Sequence, residues 1–127
     1  MPLVRIELPA SLSPTEKTSI SEHVHRALVE TMNVPAQDKF QIISEHAADG
    51  LVLAPEYLSI PHTSHAAIIQ IFLNEGRATS LKQALYAQIA QSIAQHTSIK
   101  TSDVIINLVE VKKENWSFGN GVAQYAS

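Results

Sequence analysis

Residue 2 of this chain is proline, directly after Met1. Removal of an initiator methionine that precedes proline leaves a secondary amine at the chain start. An α-amino group titrates at about 7.7–8.0, and a modest downward shift makes it a base near neutral pH. Leu3-Val4-Arg5-Ile6-Glu7-Leu8 follows with alternating apolar residues and reads as a strand, so the amine is carried on a rigid element. The histidines form no comparable pattern. His23 and His25 lie two apart on a helix and face different directions, and His62 and His65 sit in or beside a loop. No zinc spacing is present, so no metal is expected. The chain has no cysteine, which removes thiolate chemistry and disulfides. It also has no phosphate loop, dinucleotide fingerprint or G-x-S-x-G, so no cofactor is expected.

The elements that would position Pro2 come from an internal repeat. The two halves superpose at an offset of 65 residues, placing Lys17 on Lys82, Leu28 on Ile93, Val34 on Ile99 and Asp38 on Asp103. Each half reads strand, helix, strand. In the first, Ser13-Pro14-Thr15-Glu16 supplies an N-cap, a proline at the first helical position and a capping-box glutamate. Ile20, Val24, Ala27 and Leu28 keep helical spacing to about Met32, Val34 to Asp38 is a turn, and Phe40-Gln41-Ile42-Ile43 begins the next strand. In the second, Ala67 to Leu73 is a strand whose nearly continuous apolar run predicts burial on both faces. Thr79 or Ser80 caps a helix with Leu81, Leu85, Ile89 and Ile93 on one stripe, and Val104 to Val109 is the last long strand. The linker His46 to His65 is expected to hold at most one short strand or turn, and Val122 to Tyr125 a short terminal strand.

Helical crossovers join parallel strands. The expected fold is therefore α+β: two β-α-β units making a four-stranded, mostly parallel sheet with two helices on one face. One domain spans residues 1–127, with halves at about 2–46 and 67–111 and a C-terminal arm over 112–127. Two helices cannot cover Ile69, Ile71, Ile105 and Val109 together, so the other sheet face predicts self-association. Net charge is −3 without a basic block, which argues against nucleic acid. No apolar run approaches the ~18 residues that span a bilayer, and no secretory signal is visible, so a cytoplasmic protein with no membrane partner is expected.

Pro2, the β-α-β repeat, Val34-Pro35-x-x-Asp38-x-Phe40-Gln41, Gly76-Arg77 with Lys82, and Glu114-Asn115-Trp116-Ser117-Phe118-Gly119 together resemble the tautomerase superfamily. The branch they most resemble is that of malonate semialdehyde decarboxylase and its tautomerase-like relatives. The resemblance implies a homotrimer whose sheets form an inner barrel, with an active site around the proline at a subunit boundary. It implies a cofactor-independent enzyme acting on small keto or enol carboxylic acids. The neutral proline nitrogen would move a proton between carbon and oxygen; protonated, it would polarise a carbonyl and favour loss of CO₂. A trimer of the same fold without catalysis, serving to bind, is the other class that fits.

By the same resemblance Arg77 binds the substrate carboxylate, which suits a guanidinium with two parallel N–H donors; a solvated loop arginine is the alternative. Asp38 would orient the substrate or a water, yet Asp103 at the equivalent position of the other half shows that a turn alone could call for aspartate. Trp116 and Phe118 would wall the pocket, or simply pack. Gly119 and Gly121 mark a tight turn. One position departs from the decarboxylase branch. Its second arginine, two residues before the one matched by Arg77, is replaced by Glu75.

Overall fold

The computed structural model describes residues 1–126. In chain order the main elements are β1 (Leu3–Pro9), α1 (Pro14–Met32), β2 (Gln41–His46), β3 (Glu56–Tyr57), β4 (Ile60–Pro61), β5 (Ala67–Asn74), α2 (Thr79–His96) and β6 (Val104–Val111). The four long strands make one sheet in the order β2-β1-β5-β6. The outer pairings are parallel and the central β1–β5 pairing is antiparallel. The expected mostly parallel sheet is therefore two parallel pairs joined at an antiparallel seam.

Local sequence accounts for the first helix. The Ser13 hydroxyl accepts from the Glu16 N–H and the Glu16 carboxylate accepts from the Ser13 N–H, both at 3.1 Å. The helix stops at Asn33 in the left-handed conformation. The second helix differs from expectation. Its N-cap is Ala78, without a side-chain cap bond, because Thr79 already lies in the helix. Ile20, Val24 and Leu28 of α1 and Leu85, Ile89 and Ile93 of α2 are buried against Val4, Ile6, Leu8, Ile69, Ile71 and Leu73 of the sheet. Each such side chain contributes about 1.5–3 kcal/mol by leaving water.

The repeat is a spatial symmetry as well as a sequence one. Arg5 pairs with Gln70 across the seam, and Gln70 is the residue 65 positions after it. The pseudo-twofold axis thus passes between these two residues. Lys17–Glu45 at 2.8 Å and Lys82–Glu110 at 2.9 Å are equivalent ion pairs under the same offset.

Burial in β5 alternates, so its apolar run is not buried on both faces of the chain. Ile69 and Ile71 lie fully buried beneath the helices, contrary to expectation. The open face instead carries Leu3, Phe72 and Val109 in one row, Glu7, Ile68 and Ile105 in another, and Arg5, Gln70 and Asn107 between them. The linker holds two short strands rather than one, paired as the hairpin β3–β4. Val122 to Tyr125 forms turns, not a strand. The Gln124 amide bonds the loop before it, accepting from the Phe118 N–H at 2.9 Å and donating to the Gly119 carbonyl at 3.1 Å.

Candidate active site

The pseudo-twofold axis brings out what is special about the chain start. Under the 65-residue offset Met1 and Pro2 correspond to Ala66 and Ala67. In the second half, the buried Asp103 holds the chain running into β5. Its carboxylate accepts from the Thr63 N–H at 2.8 Å and the Thr63 hydroxyl at 2.6 Å. In the first half the aspartate at the equivalent place is Asp38, whose charge acts on the Met1 amine. The α-amine lies in the field of both Asp38 and Arg77.

Each of these groups is held from a different element. The Val4 N–H donates to the Phe40 carbonyl at 3.0 Å, tying the start of β1 to the segment after Asp38. The turn itself closes with the Asp38 N–H on the Pro35 carbonyl at 3.0 Å, and His25 Nε2 on α1 bonds the Ala36 carbonyl at 2.7 Å. Arg77 sits beyond the end of β5, after Gly76 at φ +112°, where a side chain would be strained. Its Nη1 donates to the Asn74 carbonyl at 2.9 Å. The loop is anchored further by Lys82, whose Nζ donates to Glu110 at 2.9 Å. That bond, more than any other contact, holds the Glu110 carboxyl below its ordinary range.

Pro2 is buried and Met1 half-buried. With Met1 in place the Pro2 nitrogen is an amide, and the free amine in the structure is that of Met1. It reports on the environment a free Pro2 amine would meet. Its pKa is lowered from 8.0, first by burial and then by the Arg77 charge, with Asp38 pulling the other way. A lowered amine is available as a base at neutral pH.

The C-terminal arm carries a cluster of aromatic rings that reaches Phe40, two residues after Asp38. Trp116 and Phe118 stack with centroids 5.2 Å apart, Phe118 lies 6.3 Å from Phe40, and Tyr125 meets Phe118 edge-on at 5.2 Å. Trp116 Nε1 donates to the Asn74 side-chain oxygen at 2.7 Å. A cleft of about 250 Å³ on the open face is lined by Leu3, Arg5, Phe72, Val111, Asn115 and Trp116, and by none of Pro2, Asp38 and Arg77. Glu75 is exposed and lines a neighbouring polar cleft with Lys112, Lys113 and Glu114.

The structure thus brings Pro2, Asp38 and Arg77 to one end of the sheet, and Trp116 with Phe118 to a wall anchored there. Sequence reasoning gave Phe40, Tyr125 and Asn74 no role in the site. Phe40 falls within the Val34-to-Gln41 motif; Asn74 and Tyr125 carry no signal in the chain. A larger cleft, about 780 Å³, lies at the other end of β5 between the hairpin and β6. Its lining is mostly apolar with His62 as its one imidazole, and no lysine or arginine lines it to hold an acid. No group of residues able to hold a metal exists among the described residues.

Two family models, each described as tautomerase enzyme, match residues 38–119 and 2–60. The chain is 36% identical over 124 residues to the probable tautomerase YusQ of Bacillus subtilis (strain 168), covering 98% of both chains. It is 28% identical to the probable tautomerase YrdN of the same organism, covering 98% of this chain and 96% of that one. Among solved structures it resembles the FG41 malonate semialdehyde decarboxylase inhibited by 3-bromopropiolate, with a TM-score of 0.90 and 36% identity over 97% of this chain and 93% of that one. A fused 4-OT symmetric trimer shares the fold, with a TM-score of 0.81 and 24% identity over 98% of each chain.

Proposed function

We propose, on the premise that this chain belongs to the tautomerase family, that it is a cofactor-independent isomerase of small keto and enol carboxylic acids. The observation that carries this reading is the convergence of the chain's α-amine, Asp38 and Arg77 at one end of the sheet. After removal of Met1, the Pro2 nitrogen takes a proton from the enol or from the carbon next to the carbonyl and returns it to the other atom. Arg77 binds the carboxylate through parallel N–H donors. Asp38 orients the substrate and stabilises the protonated amine between the two transfers. Trp116 and Phe118 keep the site dry, which strengthens every charge interaction in it.

A homotrimer belongs to the same reading. An open sheet face with Leu3, Ile68, Phe72, Ile105 and Val109 is more apolar than a lone chain leaves in water. The reading also places the protein in the cytoplasm, as one domain; no helix of the described residues is long and apolar enough to cross a membrane.

Decarboxylation is a second reading, favoured by the 36% identity to the FG41 enzyme over nearly the full chain. Glu75 weighs against it. Losing CO₂ from a β-keto acid needs its carboxylate gripped, and an exposed acid beside Arg77 repels it. The test is to follow enol-phenylpyruvate ketonisation and malonate semialdehyde loss side by side. Faster ketonisation supports the proposal; decarboxylation alone overturns it.

A further inference from the structure

The segment from Asn33 to Phe40 carries Asp38 and has neither helix nor strand of its own. Pro35, Ala36, Gln37 and Lys39 are exposed on it, and Asp38 is half-buried. Two backbone bonds shape the turn: the Asp38 N–H donates to the Pro35 carbonyl at 3.0 Å, and the Lys39 N–H to the Gln37 carbonyl at 2.9 Å. Two side chains of α1 grip the segment from outside. His25 Nε2 donates to the Ala36 carbonyl at 2.7 Å. At the exit, the Ser21 hydroxyl donates to Gln41 Oε1 at 2.5 Å, and Gln41 Nε2 donates back to the Ser21 carbonyl at 3.0 Å. Ser21 and His25 stand one turn apart on the same face of the helix.

The second half of the fold cannot repeat this clasp. Under the 65-residue offset Ser21, His25 and Gln41 become Tyr86, Ala90 and Ile106. Ala90 and Ile106 have no side-chain donor or acceptor. There the turn is held by the aspartate itself, since Asp103 spends both carboxylate oxygens on Thr63. We infer that His25, with Ser21, is a positioning residue: it holds the turn from α1, so that the Asp38 carboxylate is left for the substrate and the amine. The inference rests on the proposed function, which gives Asp38 that role.

The test is the pH profile of kcat/KM for enol-phenylpyruvate ketonisation, with protein whose loss of Met1 is verified by mass. Arg77 and Asp38 are the charges that act on the Met1 amine, and Asp38 raises its pKa. A displaced Asp38 raises the Pro2 amine less. His25→Leu should therefore move the rising limb to lower pH, in the direction of Asp38→Asn and by no more than that variant does. It should also lower kcat/KM about fivefold, the scale of one lost hydrogen bond. His25→Gln, whose amide nitrogen can stand where Nε2 does, should recover most of both. In an Asp38→Asn background His25→Leu should shift the limb no further. Should His25→Leu fail to fold, Ser21→Ala carries the same expectation. A merely structural histidine would lower stability and rate but leave the limb in place. A limb fixed in His25→Leu while Asp38→Asn moves it overturns the positioning role, as does a shift that persists in the Asp38→Asn background. Limbs fixed in both variants overturn the proposed role of Asp38 as well.

Discussion

Asn74 Oδ1 accepts the indole proton of Trp116 at 2.7 Å, and the carbonyl oxygen of the same Asn74 accepts from Arg77 at 2.9 Å. One residue at the end of β5 therefore ties together Trp116 and Arg77, the proposed pocket wall and the proposed carboxylate anchor. Removing the side chain frees the wall while leaving the bond to Arg77 possible. Asn74→Ala leaves a half-buried N–H without its partner, a loss of about 1–3 kcal/mol. The expected result is a changed Trp116 emission and a raised KM. In a Trp116→Phe background, which lacks that N–H, Asn74→Ala should add little. Full additivity of the two substitutions would show that the bond does not matter.

The pH dependence of kcat/KM should carry the sign of the two charges beside the amine. A base works deprotonated, so the rate should rise with pH through the pKa of the terminal amine, a place where burial and then Arg77 lower the Met1 amine. Arg77 lowers that pKa; removing it in Arg77→Ala should move the rising limb to higher pH. Asp38 raises it; Asp38→Asn should move the limb to lower pH. Limbs that stay fixed in both variants would mean that the titrating group is not this amine.

The proposed choice of reaction type rests on Glu75. At ~6 Å and an effective dielectric of 20, one unit charge is worth about 3 kcal/mol, and the open position of Glu75 screens it well below that. Glu75→Arg should raise the loss of malonate semialdehyde and leave enol-phenylpyruvate ketonisation within a few-fold. A decarboxylase rate indifferent to this substitution would remove charge at position 75 as the discriminator.

Much of this was legible in the chain because the fold repeats itself. Ser13-Pro14-Thr15-Glu16 predicted the start of α1 through bonds that the residues themselves make. The 65-residue offset predicted both β-α-β units, and the Lys17–Glu45 and Lys82–Glu110 ion pairs seen in the structure obey the same offset. Legibility failed where one face had to be told from the other. Ile68 to Leu73 is apolar at all but one position, so alternation could not reveal that Ile69 and Ile71 lie under the helices and Ile68 and Phe72 do not. It failed again at Asn74, whose role depends on a residue 42 positions away. Asp103 was legible as a turn aspartate, but its bonds to Thr63, 40 positions earlier, appear only in three dimensions.

Stability in acid should depend on Glu16. Its carboxylate accepts from the Ser98 hydroxyl and N–H and from the Ser13 N–H, which bring its pKa down to about 2. The folded pKa is depressed, so this contribution is complete above the unfolded value and lost as pH falls through the folded one. Glu16→Gln should lower Tm most above about pH 4.5, the gap closing toward pH 2. A gap constant over that window would contradict the linkage.

The central claim is that the Pro2 amine moves the proton. The direct measurement is enol-phenylpyruvate ketonisation by protein of verified mass, in three forms: Met1 removed, Met1 retained, and Pro2→Ala with Met1 removed. Activity should reside in the first. Retaining Met1 turns the Pro2 nitrogen into an amide and should abolish it, and Pro2→Ala should lower it by about 10²-fold or more, the range of general acid–base catalysis. Equal turnover by all three forms would contradict the account.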